Sequence, residues 1–156
     1  MAAETLTGTR AAASFPVFKP LGSGTLAVAW GEYDIAANVE DGDIFELCRL
    51  PAGAVVVGGA FWATDLDTGT EALDIDIGWA ANGTEAADPD GFVNTGVLTG
   101  DAITDLLAAG NNYRPFVMSS GPISFSAETV VQAEANVAAA TFATGTIYVS
   151  VYYVVP

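Results

Sequence analysis

The chain has no histidine and a single cysteine among its 156 residues. Without histidine it lacks the side chain that most often serves as general base and as metal ligand. With Cys48 alone no intrachain disulfide can form, and in the context FELCRL that residue alternates with strand-forming neighbours, as a small core side chain does. Basic residues are scarce as well: Arg10, Lys19, Arg49 and Arg114 stand against 19 acidic residues, for a net charge of −15. Proteins bind phosphate backbones by displacing counterions with Lys and Arg, so nucleic acid is not expected as a partner. An anionic membrane surface would repel the chain. Its longest apolar runs fall far short of the roughly 20 residues that cross a bilayer as a helix. No basic stretch followed by an apolar run stands at the N-terminus, so no secretory leader is expected. Ser119-Ser120-Gly121 has no histidine, and no nearby lysine, to activate a hydroxyl. The chain is therefore not expected to be an enzyme, and no cofactor is expected.

What the chain has is apolar bulk. Hydrophobic residues make up 51% and charged residues 15%, the latter low against a typical ~25%. The length fits one domain, and a domain of this size buries roughly 68–70% of the surface of its unfolded chain. Such a composition is expected to hide further surface in an oligomer. Residues 1–24 mix Ala, Thr, Gly and Pro without a clear period and read as an extended N-terminal arm that carries two of the four basic residues. Residues 25–156 read as a single β-sandwich domain.

Period-two alternation runs through that domain. Over Thr25–Ala36, Leu26, Val28 and Trp30 point one way, and a change of phase to Tyr33 and Ile35 after Gly31 suggests a bulge. Asp43–Leu50 and Ala54–Thr64 are strands separated by a Pro-Ala-Gly turn, with Gly58-Gly59 marking a bend or close approach. Ala72–Ala80 alternates most clearly, with Leu73, Ile75, Ile77 and Trp79 facing the core and Asp74, Asp76 and Gly78 facing away. Residues 81–110 hold turn clusters, among them Asp88-Pro-Asp-Gly91, and a short helix candidate at Asp101–Ala109. Tyr113–Met118, Ile123–Glu134 and Gly145–Val155 are the last strands. The final one is apolar on both faces, as expected of a central strand or one meeting a partner subunit. Seven or eight strands with ordinary turn spacing predict an all-β fold, an antiparallel sandwich of jelly-roll type.

The candidate sites are few. Asp65, Asp67 and Glu71 offer oxygens at alternate positions around Gly69, the layout of a calcium loop, but the remaining positions of an EF-hand are missing; a solvated hairpin is the expected state. Asp74 and Asp76 stand about 7 Å apart along a strand, within range of a glycosidase pair, yet they read more simply as the polar side of an amphipathic strand. Trp30, Trp62 and Trp79 could line a sugar-binding face, or belong to the core or an interface.

Four segments carry a resemblance. The pattern from Gly42 through Leu50-Pro51-Ala52-Gly53-Ala54, Asp65-Leu66-Asp67, and Leu73 to Trp79, with the ending Gly145-Thr-Ile-Tyr-Val-Ser-Val-Tyr-Tyr-Val, resembles the capsid decoration (cement, head-stabilising) proteins of tailed phages. The resemblance implies a β-sandwich homotrimer that sits on the outside of the head, with the major capsid protein as partner, no active-site residue, and synthesis in the host cytoplasm. A carbohydrate-binding β-sandwich module, of the head-fibre or tail-associated kind, is the alternative.

Overall fold

The computed structural model describes residues 3–18, 22–98, 112–116, 118 and 120–156. Ten strands account for the regular structure of these residues: β1 (Thr5–Thr7), β2 (Ala27–Ile35), β3 (Ile44–Leu50), β4 (Val55–Ala63), β5 (Asp74–Trp79), β6 (Asp88–Val93), β7 (Tyr113–Pro115), β8 (Ile123–Ser124), β9 (Thr129–Val137) and β10 (Gly145–Val154). They form two facing sheets, one ordered β1-β3-β9-β5-β6 and the other β2-β10-β4-β7, with β8 paired to β4. All pairings are antiparallel except that of β1 with β3. With β1 and β8 set aside, two four-stranded sheets exchange the chain back and forth, which is the jelly-roll arrangement expected from the alternation.

The core lies between the sheets. Phe45, Leu47, Phe61, Ile75, Ile77, Val131, Ile147, Val149, Val151 and Tyr153 are fully buried. At one end the rings of Phe92 and Phe116 stack at 4.7 Å, and Trp79 meets Phe125 edge-on at 5.1 Å. Cys48 is part of this core, and burial pushes its thiol up to about 12 despite the Arg10 cation nearby. β10 runs between β2 and β4, so the strand with two apolar faces is the central one of its sheet.

Several expectations need correction. Leu26, Val28 and Trp30 lie outside, while Ala29 and Ile35 are buried. The register of β2 with β10 is unbroken from Ala27 to Ile35, so no bulge interrupts it. Gly31 is there for close approach: a Cβ would run into the Leu47 carbonyl of β3. The phase change belongs instead to β3, where a register shift between Glu46 and Cys48 turns both Leu47 and Cys48 inward. Asp88-Pro-Asp-Gly91 is not a turn but the start of β6. Ile123–Glu134 is split, with Phe125 buried between the short β8 and β9. At Gly58-Gly59 the close approach is what is found, a Cβ on Gly59 meeting the Ser150 carbonyl and the Phe116 ring, while the register shift of β4 against β10 falls one residue earlier, at Val57. The helix candidate at 101–109 lies outside the described residues.

The N-terminal arm is extended along its own sandwich. β1 adds to the edge of β3, and the Ile44 amide donates to the Glu4 carbonyl at 2.7 Å. Residues 8–15 then turn across the edge, and the Tyr153 hydroxyl donates to the Phe18 carbonyl.

Candidate interaction surface

The two outer faces of the sandwich differ in kind. On the β2-β10-β4 sheet, side chains that alternate away from the core are large and apolar. Leu26 is 61% exposed, and Val28, Trp30, Val57 and Tyr152 are each between 40% and 45% exposed. Register places them side by side: Tyr152 sits opposite Val28 on one neighbour and Gly58 on the other. Tyr148, four residues back along β10, stacks on Trp62 with ring centroids 5.4 Å apart and planes 9° apart. Carboxylates on this face gather at the end of β2, where Asp34 accepts a hydrogen bond from the Thr146 hydroxyl at 2.7 Å. Full burial of one such side chain contributes about 1.5–3 kcal/mol, so a cluster of them is a surface that gains from being covered.

The arm already covers one corner of it. The Arg10 guanidinium stands 3.4 Å from the centroid of the Trp30 ring, with Phe15 at 5.1 Å and Phe18 at 5.8 Å. A cation held among three rings gains from each ring's quadrupole, which fixes the arm against β2.

The outer face of the other sheet is acidic. Asp76 on β5 and Glu134 on β9 are direct cross-strand partners. Burial, together with neighbouring carboxylates, raises Asp76 and Glu134 above the usual carboxylate range. Burial and a hydrogen bond shared with Asp90 raise Asp88 in the same way. The expectation of a simply solvated polar side therefore fails at Asp76, which is 4% exposed and accepts from the Thr95 amide at 3.0 Å and from the Asn136 side chain. The segment after β6 runs on beside β5, Val97 bridging to Asp74 and the Leu98 amide donating to the Leu73 carbonyl, which brings Thr95 against Asp76; the sequence pattern did not indicate this.

The calcium-loop candidates part company. Asp67 is buried, and its two oxygens accept four backbone N–H groups: Ala72 at 2.7 Å, Leu73 at 3.1 Å, Ala140 at 3.0 Å and Thr141 at 2.6 Å. Burial alone would raise its pKa, but these donors outweigh it and hold the group below its ordinary value. Asp65 turns back to accept from the Asp67 amide, and Glu71 is half-buried without joining the cluster. Asp67 is thus a clasp between the β4–β5 and β9–β10 connections. Among the described residues, no group of three or more Cys, Asp or Glu side chains is placed to hold a metal ion. Asp74 lies beside Thr95 rather than facing Asp76 across a cleft. Trp79 is in the core, its indole N–H donating to the Ala86 carbonyl at 3.0 Å. Trp62 is half-buried under Tyr148, and Trp30 is the exposed one, occupied by Arg10. Ser119 lies outside the described residues.

Sequence reasoning put Leu26, Val28 and Trp30 on one face of β2 without saying that this face is the outer one. The signal was present: Ala27, Ala29, Gly31, Tyr33 and Ile35 alternate without interruption, and small residues belong inside where two strands approach closely.

No family model and no curated protein matches the sequence. Solved structures do match its fold. A chain in the capsid of Ralstonia phage GP4 superposes with a TM-score of 0.75 at 20% identity, over 97% of this chain and 98% of that one. A chain of the cyanophage Pam1 capsid asymmetric unit gives 0.63 at 23% identity, over 95% and 99%. One from the acidic stable capsid of Helicobacter pylori bacteriophage KHP30 gives 0.59 at 18%, over 86% and 91%. Over nearly its whole length, then, the chain has the fold of chains found in bacteriophage capsids.

Proposed function

We propose that the chain is a virion structural protein that decorates the outside of a phage head and reinforces contacts between capsomers, acting by binding and not by catalysis. The observation that carries this reading is the full-length likeness in fold to chains of three phage capsids. The difference between the sandwich faces supports it: large apolar side chains collect on the β2-β10-β4 face, away from the Asp34 end of β2, and a group of carboxylates with raised pKa values lies on the other. In this reading the apolar face meets sister subunits in a homotrimer or the major capsid protein beneath, and the acidic face looks outward. Each subunit then adds a modest buried area at a capsomer seam, and many such contacts sum by multivalency. A net charge of −15 keeps decorated particles apart. Nucleic acid and membrane are no part of this role.

The glycan-binding alternative needs an aromatic platform open to a sugar ring. Trp30 is the exposed tryptophan, and Arg10 stands over its face, which weighs against that reading.

Quantifying copies per purified particle, with analytical ultracentrifugation of the free chain, tests the proposal. Hundreds of copies on each head and a trimer in solution are expected. A handful of copies would move the chain to a vertex or tail, and absence from particles would end the virion reading.

A further inference from the structure

The sandwich is open along the edge where β1 and β2 face each other, and a hollow of about 330 Å³ lies there. Its floor is apolar and aromatic: Phe45 and Ile35 are buried, Leu6 and Tyr33 half-buried, and the Tyr33 and Phe45 rings stand 5.4 Å apart. Its rim is anionic. Glu4, Asp34 and Glu40 stand around the mouth, and buried Asp43 fixes two of them in place, its carboxylate accepting from the Glu4 and Glu40 amides at 2.9 Å each.

The described basic side chains are all held elsewhere. Arg10 lies on Trp30, Arg49 pairs with Glu128, and Arg114 donates to the Thr95 and Tyr113 carbonyls. An apolar slot with carboxylates at its mouth matches one kind of side chain, an aliphatic or planar stem ending in a cation. The chain makes the aromatic half of this arrangement once already, around Arg10. The strands flanking the hollow also have backbone edges to offer. Among the described residues β1 pairs only with β3, and β2 only with β10, so an extended segment has a ladder to join.

We propose that this groove receives a lysine or arginine side chain carried on an extended basic segment of a partner protein, its stem against Leu6, Tyr33 and Phe45 and its charge at the Glu4–Asp34 rim. The inference deepens the docking role above by naming the partner's chemistry, and it is tested on the isolated chain, so the two can fail separately.

The test is an NMR titration of the ¹⁵N-labelled full chain with the pentapeptide acetyl-TVKVT-amide and with its counterpart carrying norleucine at the centre. Saturable shifts are expected at Leu6, Tyr33 and Phe45 with the lysine peptide, with a Kd on the order of millimolar for so small a contact. The norleucine peptide should leave those amides unmoved. The variant Glu4→Gln/Asp34→Asn, altered only at exposed side chains, should keep its spectrum and bind about fivefold more weakly or worse. Tyr33→Leu, which keeps the floor apolar, should weaken binding as well. Equal shifts with the norleucine peptide, no saturation, or shifts as large around Asp88 and Asp90 as in the groove would overturn the proposal. Groove binding by a chain that is absent from particles would leave this inference standing and remove the capsid reading.

Discussion

Replacing Asp67 should cost more stability than replacing any other carboxylate of the chain, because its side chain substitutes for a stretch of sheet. Four amides from two connections point at its oxygens, those of Ala72 and Leu73 leading into β5 and those of Ala140 and Thr141 leading towards β10. Around it the Thr68 amide donates to the Thr141 carbonyl at 2.9 Å and the Ala143 amide to the Leu66 carbonyl at 3.0 Å, so the clasp also holds a short backbone pairing. In Asp67→Ala the Leu73 amide stays buried and loses its partner, at a cost of about 1–3 kcal/mol, with a comparable cost for half-buried Ala72. The amides of exposed Ala140 and Thr141 return to water, so they add less. The sum is about 3–5 kcal/mol, against the roughly 8–20 kcal/mol available to a domain of this size. In melting temperature that is about 6–20 °C at the 2–4 °C per kcal/mol expected for this length. Asp67→Asn keeps the shape and one acceptor but turns an NH₂ towards donors, so it should fall between the two. The pH dependence has a definite sign. The folded pKa lies below the unfolded one, so the stabilisation is complete above the unfolded value of about 3.9 and disappears as the pH falls through the folded value. Differential scanning calorimetry of wild type, Asp67→Asn and Asp67→Ala from pH 7 down to the acid limit checks each point. A wild-type and Asp67→Ala pair melting within about 1 kcal/mol of each other at pH 7 would show that the four bonds are not a clasp. A rise of several degrees on adding millimolar Ca²⁺ would show that the carboxylate prefers a cation to its amides.

Three further outcomes follow from the two outer faces and the core between them. Asp76, Asp88 and Glu134 titrate above their ordinary values, so the folded chain takes up protons on them before the unfolded chain does; thermal stability should rise as the pH drops from 7 towards the unfolded carboxylate values of about 3.9–4.3 and fall below that as Asp67 and Glu85 protonate. A melting temperature that shows no rise anywhere between pH 7 and the unfolded carboxylate values of about 3.9–4.3 would refute the acidic-face account. Ile77→Asp puts an unpaired charge where exposure is zero, at a cost above about 4 kcal/mol, and circular dichroism should show loss of the cooperative melt. Val28→Asp/Tyr152→Asp should melt close to wild type yet sediment as a monomer and leave particles undecorated; full occupancy with this variant would take the apolar face out of the interface.

The jelly roll was legible because β5 and β10 alternate on a core that buries one set of side chains completely, and because β3 and β4 are apolar enough to read as strands despite their register shifts. Ala72–Ala80 illustrates this: Leu73, Ile75, Ile77 and Trp79 all lie inside as the pattern implies. Three things were hidden. Gly31 looked like an interruption because a missing side chain reads the same in a sequence whether the backbone bends or a neighbour presses close; the Leu47 carbonyl settles which. Asp88-Pro-Asp-Gly91 has the composition of a turn, but its residues are edge-strand residues, and Gly91 is required because a Cβ there would meet the Trp79 ring. Asp67 sat in what read as a solvated hairpin, and nothing in the local sequence signals donors arriving from residues 140 and 141, more than seventy positions away. A partner set that distant is fixed by topology, not by neighbouring residues.

The distribution of charge also bears on how such a chain could sit in an assembly. Copies carrying −15 each repel one another in solution, and the Debye length near physiological salt, about 8 Å, screens that repulsion only beyond the first contact shell. Close packing of copies then requires that carboxylates stay away from the contact. The β2-β10-β4 face meets that requirement around Val28, Trp30 and Tyr152, its own exposed carboxylates Glu32 and Asp34 lying towards the Ile35 end of β2, while Asp74, Asp76, Asp88, Asp90 and Glu134 belong to β5, β6 and β9 of the other sheet. Those carboxylates are also the ones held partly out of water, with pKa values raised at Asp76, Asp88 and Glu134. A sequence optimised only for solubility would spread its acid over freely solvated positions, where it costs no stability. Holding these five carboxylates on one face, against that cost, suits the proposed role, in which neighbours cover the opposite face and this one is left to the solvent.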